Sequence, residues 1–169
     1  ILDIALDLSR RYHWSSFEYE ILLRLAENDR LPEPGDWLKL GLLNESFGAS
    51  TTTSTYFFER AFKSGGLNHE EFLLLDEHYW DHLEDFERVP FIDGWLSVVD
   101  GSKRSELLWR LLGLLDLERD AVRYRSEVEK LESLSPNDER VWSAAQKFYA
   151  LRADLNALEE LHLRWIVQA

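Results

Sequence analysis

Four residues between positions 71 and 85 have the side chains and spacing of a metal site. The segment 68–89 is predicted to form one helix, because Asn68 and Glu71 have the spacing of a capping box and an apolar stripe follows. One flank of that helix would carry Glu71, His78, His82 and Asp85. Two imidazoles at i and i+4, in line with carboxylates, could hold zinc, manganese or iron. This spacing predicts a metal-dependent helical-bundle enzyme as one hypothesis.

A second interpretation gives the same residues a structural role. The stripe lacks the Glu-x-x-His spacing of di-iron bundles and the His-Glu-x-x-His motif of zinc proteases. His78 and His82 would then border the core of an acidic helix and form local ion pairs. No catalytic residue and no other cofactor is predicted for the chain.

The same segment is the most acidic part of the chain. Between residues 68 and 87 there is no Lys or Arg, while the acidic residues are Glu70, Glu71, Asp76, Glu77, Asp81, Glu84, Asp85 and Glu87. With a net charge of −13, the chain should repel nucleic-acid backbones and anionic membranes. One hypothesis is an acidic inhibitor or chaperone that captures a basic protein through Asn68 to Glu87, with Asp81 and Glu84 as predicted partner-binding residues. The alternative is an ordinary solvated helix face.

A hydroxyl-rich tract precedes the aromatic run at Tyr56. The residues 46–55 include six Ser and Thr from Ser50 onward, and they could bind an anion at a helix N-terminus. Ser and Thr are also the ordinary N-cap residues, and neither a glycine-rich cradle nor a lysine accompanies them. Both interpretations are kept.

Composition predicts a folded, water-soluble protein. The 169 residues are 45% hydrophobic and 13% aromatic, too apolar for disorder. No apolar run is long enough to span a membrane and no signal peptide is visible, so a cytoplasmic protein is expected. The absence of cysteine excludes disulfides and thiolate metal sites.

The hydrophobic spacing predicts an all-α protein, because no useful period-2 alternation occurs. The expectation is one helical domain over 1–169, with N-terminal helices in 1–89 and repeats in 90–169. In the first helix, Ile4, Ala5 and Leu8 form one apolar side. Pro90 is expected to close the acidic helix and to precede an aromatic connector at 91–96.

Side-chain caps are predicted at two further helix starts. Ser15 and Glu18 have the spacing of a capping box, and Asp36 follows the Pro- and Gly-containing loop as an N-cap.

A local pattern recurs in the C-terminal half at a spacing of 33 residues, the distance between Trp109 and Trp142. Trp109-Arg-Leu-Leu-Gly113 matches the first half of the tetratricopeptide pattern, with Asp116 where a tyrosine is expected. The second copy keeps Trp142 and Tyr149 but replaces the central Leu-Gly. Short loops should make successive helices antiparallel neighbours, so 90–169 is predicted as a short array of stacked helix pairs.

The segment 86–165 resembles the bacterial transcriptional activator domain, a helical module found beside DNA-binding domains. The resemblance is carried by Phe91-Ile-Asp-Gly-Trp95, Ser135-Pro-Asn-Asp138 before Val141-Trp142, Asp154-Leu-Asn-Ala157-Leu158-Glu-Glu-Leu161, and, near the start, by the run from Trp14 to Leu23. It implies a regulatory or oligomerising role, as part of a multidomain bacterial transcriptional regulator. It supplies no functional residues.

The leading hypothesis is therefore a non-catalytic helical-repeat module that binds another protein or a second copy of itself. Aromatic and Arg side chains usually dominate such interfaces. The residues selected on this ground are Tyr124, Arg125, Tyr149 and Arg152.

Overall fold

The protein consists of helices. A computed structural model describes residues 2–28, 30–31 and 33–168, without the side chains of Trp165, Val167 and Gln168. Within these residues there is no β-strand, and the all-α prediction is confirmed. The helices are α1 Leu2–Arg11, α2 Ser15–Glu27, α3 Pro34–Ser46, α4 Thr51–Ser64, α5 His69–Tyr79, α6 Asp85–Leu96, α7 Ser102–Leu114, α8 Ala121–Leu134, α9 Glu139–Leu151 and α10 Leu155–Gln168, with a 3-10 turn at Trp80–His82. No described helix has the length and apolar character needed to cross a membrane.

The chain divides into two compact units, Ile1–Val98 and Val99–Ala169. The first unit therefore contains α1 to α6, and the second contains α7 to α10. Each unit has its own buried apolar residues.

In the first unit, α3 and α4 pack closely because α3 presents a glycine to an aromatic ring. A Cβ atom at Gly41 would overlap the ring of Phe58, which is itself fully buried. The missing side chain allows the two helix backbones to approach each other. Leu22, Leu40 and Leu75 complete the fully buried centre from α2, α3 and α5.

An aromatic cluster joins α5 to α6. The rings of Phe72 and Trp95 stack with centroids 6.0 Å apart, and Phe91 meets Phe72 edge-on at 5.4 Å. Trp95 Nε1 donates a hydrogen bond of 2.8 Å to His69 Nδ1. The segment 91–96, expected as a connector, is thus the buried half of a helix.

The prediction of one helix over 68–89 was wrong. The Asn68 capping box at its start is confirmed, but α5 ends at Tyr79 and α6 begins at Asp85. A second capping box, between Glu84 and Glu87, starts α6. Pro90 lies inside α6 and does not close a helix. Because proline has no N–H, the carbonyl of Phe86 lacks its helical hydrogen bond. Phe86 is exposed, so water can donate a hydrogen bond to this carbonyl instead.

Two other predicted caps were also wrong. The N-cap position of α2 is Trp14, not Ser15, and it makes no side-chain cap bond. Glu18 is buried instead and accepts from Arg10 Nε at 3.2 Å. Asp36 lies at the third position of α3, where it forms a capping box with Glu33 and also pairs with Arg10. Arg10 therefore links α1 to both α2 and α3.

In the second unit, each helix packs against the next along the chain, α7 on α8, α8 on α9 and α9 on α10. The repeated tryptophans lie at different positions of their helices, Trp109 in the second half of α7 and Trp142 in the first turn of α9. The guanidinium of Arg140 lies over the ring of Trp109 at 5.2 Å, and that of Arg164 over Trp142 at 5.8 Å. Trp109 on α7 thereby contacts Arg140 near the start of α9.

Candidate functional site

A groove between α8 and α9 is the candidate site that contains predicted interface residues. It contains a cavity of about 290 Å³. The lining residues are Ala121, Val122, Arg125, Phe148, Tyr149, Arg152 and Asp154. We call this feature the α8–α9 groove. It continues toward a second cavity lined by residues of α8 and α9 and by one residue of α10: Val128, Glu129, Glu132, Ala145 and Arg164.

The floor of the α8–α9 groove is apolar and aromatic. The ring of Phe148 is buried and stacks on Tyr124 with centroids 5.8 Å apart and planes 12° apart. Tyr149 meets the same phenylalanine edge-on at 5.4 Å. Val122 lies at the mouth with 88% of its surface exposed. An apolar side chain of a ligand would bury this valine.

Three arginines line the α8–α9 groove, and their surroundings differ. Arg125 Nε donates to Glu129 at 2.8 Å, and Arg164 donates to Glu132 at 2.7 Å. The hydrogen bond to Glu129 raises the pKa of Arg125 above its ordinary value, with a further contribution from Tyr149. Arg152 has no carboxylate partner among the described residues, and its guanidinium lies 5.5 Å from the centroid of the Phe148 ring.

The structure brings three of the four predicted anchors together. Arg125, Tyr149 and Arg152 line one cavity. Tyr124 is buried beneath it and belongs to the core, where desolvation raises the pKa of its phenol. Sequence reasoning missed Val122 and Arg164. The signal for Val122 was its i,i+3 spacing from Arg125, which places both on one face of α8.

The four residues of the predicted metal stripe have separate roles. Glu71 caps α5, and Asp85 pairs with Arg88 at 3.1 Å. His78 Nδ1 lies 2.8 Å from Glu45 Oε2, while His82 stacks on Tyr79 in the 3-10 turn. The stripe required a continuous helix, and α5 ends before His82. Among the residues that the structure describes, no group of three or more His, Cys, Asp or Glu is arranged to hold a metal ion.

The acidic segment has both capping and solvated carboxylates. Glu71, Glu84 and Glu87 serve the caps of α5 and α6. Asp81 lies exposed in the 3-10 turn, and Glu84 is exposed beside it. Capture of a basic protein through these two residues stays a prediction.

The hydroxyl-rich tract forms the start of α4. The N-cap residue Ser50 makes no side-chain cap bond, and Ser54 is buried with its hydroxyl 2.7 Å from Asn44 Nδ2. At least Ser54 is therefore a packing residue. An anion at this terminus stays a prediction.

The fold and the α8–α9 groove define the class of the protein, an all-α protein with a tetratricopeptide-like helical-repeat fold. Among solved structures, the crystal structure of MamA is similar to it with a TM-score of 0.50 and 12% sequence identity, over 95% of this chain and 92% of that chain. At this identity the likeness supports the fold alone.

Sequence comparison adds no family to this assignment. No protein-family model and no curated protein sequence matches the chain. The resemblance to the bacterial transcriptional activator domain therefore stays a prediction.

Proposed function

We propose that the chain is a non-catalytic protein-interaction module that binds a segment of another protein in the α8–α9 groove. The observation that carries this proposal is Arg152, a guanidinium without a carboxylate partner among the described residues, held over the buried ring of Phe148. Arginines stacked on aromatic rings are frequent interface anchors because little side-chain freedom is lost on binding. The repeat fold supports the same role.

The chemistry of the groove favours a ligand with a carboxylate next to an apolar side chain. Arg152 would pair with the carboxylate through two parallel N–H donors, and the phenol of Tyr149 lies on the same rim. Val122 and Phe148 would cover the apolar side chain. Arg125 contributes less, because its guanidinium is already bonded to Glu129.

The proposal is tested by selecting binders from a random peptide library on the purified chain. We expect enrichment of peptides in which Asp, Glu or a C-terminal carboxylate neighbours an apolar residue. Arg152→Ala should weaken their binding at least about tenfold, which corresponds to about 1.4 kcal/mol. Lys147→Ala is the matched control, because it removes an exposed cation of α9 that does not line the groove. Peptides that bind the Arg152→Ala variant as tightly as the unchanged chain would contradict the proposal.

A role within a multidomain bacterial transcriptional regulator rests on the sequence resemblance alone. In that role, the α8–α9 groove would belong to a regulatory module, and its binding partner would be another segment of the same regulator. Finding enriched peptide sequences in such proteins would support this narrower role.

A further inference from the structure

The first helix turns an apolar stripe toward solvent. Ile4 is 67% exposed, Leu8 40% and Tyr12 58%, at intervals of four residues. Ile4 and Leu8 thus share one side of the helix, as the sequence predicts, and that side is exposed. Leu6 and Ser9 are buried instead, and Arg10 fixes this opposite face to Glu18 and Asp36. The helix is therefore held to α2 and α3 on its Leu6 and Ser9 face, and no described residue covers its more apolar stripe.

Aromatic rings extend the stripe beyond the end of α1. Trp14 is 54% exposed and stacks on Tyr12 with centroids 5.4 Å apart. Phe17, also exposed, meets Trp14 edge-on at 6.3 Å. We call Ile4, Leu8, Tyr12, Trp14 and Phe17 the α1 stripe. Because the rings support one another, binding would fix little additional side-chain freedom.

The charges beside the α1 stripe have a directional order. Acidic residues occupy its first two turns, at Asp3 and Asp7, and basic residues its last turn, at Arg10 and Arg11. Asp7 and Arg11 form an exposed pair at 3.4 Å along one edge of the stripe. A helix with this order is the electrostatic complement of an identical helix laid antiparallel to it. Reversal brings the acidic half of each against the basic half of the other.

We propose that the α1 stripe is a two-fold interface between two copies of this chain. The two α1 helices run antiparallel and cross near Leu8, because an isologous interface uses the same patch on both copies. Ile4 then lies against Tyr12 of the second copy, and Asp7 pairs with Arg11 of the second copy. This surface lies in the first unit, so the proposal does not depend on the α8–α9 groove.

The test uses two charge reversals and their mixture. The unchanged chain is expected to sediment at twice its mass of 19.9 kDa at micromolar concentration. Asp7→Arg and Arg11→Asp should each give monomers, because each sets like charges against each other across the two-fold axis. An equimolar mixture of the two variants should restore the double mass, since one copy then carries two arginines and the other two aspartates.

Controls separate the interface from folding. The Asp7 and Arg11 side chains are 70% and 67% exposed, so circular dichroism should show unchanged helix content in both variants. Lys63→Glu, which reverses an exposed charge on α4, should keep the double mass. Leu8→Ser should weaken self-association at least tenfold without a charge change.

Three results would overturn the proposal. The first is an unchanged chain that stays monomeric, which would leave the stripe to another occupant. The second is a dimer that neither charge reversal affects, which would place the interface elsewhere. The third is a mixture of the two variants that stays monomeric, which would exclude the antiparallel arrangement.

Discussion

Arginine illustrates how the same residue type takes different roles in this chain. Arg10 joins two buried carboxylates and holds three helices together. Arg125 is paired with Glu129 on its own helix, a contact that contributes little to stability at an exposed site. Arg152 has no carboxylate partner among the described residues and lies over an aromatic ring at the rim of a groove. Its surroundings, not its position in a motif, make it a candidate anchor.

At Gly41 we expect substitution by Ala to destabilise the first unit by about 1 to 3 kcal/mol. The added methyl group would overlap the buried ring of Phe58, and this cost exceeds the gain in helix propensity. Gly113 is the control, because no atom lies within 4 Å of a Cβ placed there. Gly113→Ala should therefore stabilise by about 0.5 to 1 kcal/mol. Thermal unfolding measures both, and equal effects of the two substitutions would refute the explanation.

Tyr79 should make stability fall at high pH. Burial, with Glu87 and Glu59 adding to it, raises the pKa of Tyr79 from 10.0 to about 12. Because the folded state holds the phenolic proton more tightly, this contribution is complete below pH 10.0 and is lost as the pH rises toward about 12. Tyr79→Phe should flatten the decline of unfolding free energy over that interval. An equally steep decline in the variant would assign it to other groups.

Helix starts in the first unit depend on which polar side chain reaches the free backbone N–H groups. The Asn68 side chain accepts hydrogen bonds from the backbone N–H groups of Glu70 and Glu71 at 2.9 and 3.1 Å. In turn, the Glu71 carboxylate accepts a hydrogen bond from the backbone N–H of Asn68. Ser50 occupies the same position of α4 without such a bond. The two residues are both favourable N-caps by type, and only their geometry distinguishes them.

Removal of these two side chains should therefore have unequal effects. Asn68→Ala is expected to cost about 1 kcal/mol, because two N–H groups lose their acceptor. Ser50→Ala should lower the free energy of unfolding by only a few tenths of a kcal/mol, because the Ser50 side chain makes no cap bond. Chemical denaturation of the two variants measures the difference. A larger loss at Ser50 than at Asn68 would show that the Asn68 cap bonds contribute little.

On the scale of the whole molecule, the chain contains two separate sets of buried residues. Leu22 is buried in the first unit and Leu131 in the second, each with almost no exposed surface. Helical repeats stabilise mainly their immediate neighbours, so damage in one set should act first within its own unit.

Leu131→Ala should cost about 2 to 5 kcal/mol and accelerate hydrogen exchange chiefly in α7 to α10. Leu22→Ala should do the reverse, with faster exchange chiefly in α1 to α6. Exchange followed by mass spectrometry locates each effect. Uniform acceleration over the chain in both variants would show that the two units unfold as one.

The sequence by itself determined the helical class, and it also allowed the selection of three residues that line the α8–α9 groove. The helical class follows from local spacing, since the 3.6-residue period and the i,i+4 neighbours need no tertiary information. Arg125, Tyr149 and Arg152 were identified because their residue types favour interfaces, and short loops placed α8 beside α9.

Only the tertiary structure decided where the acidic segment breaks and which face of α1 is buried. The period of 68–89 is compatible with one helix, but aromatic packing of Phe91 and Trp95 favours a second helix starting at Asp85. In α1 the ion pairs of Arg10 hold Leu6 and Ser9 inward and leave Ile4 and Leu8 outside. Hydrophobic spacing cannot rank these alternatives, because the deciding contacts come from residues distant in the chain.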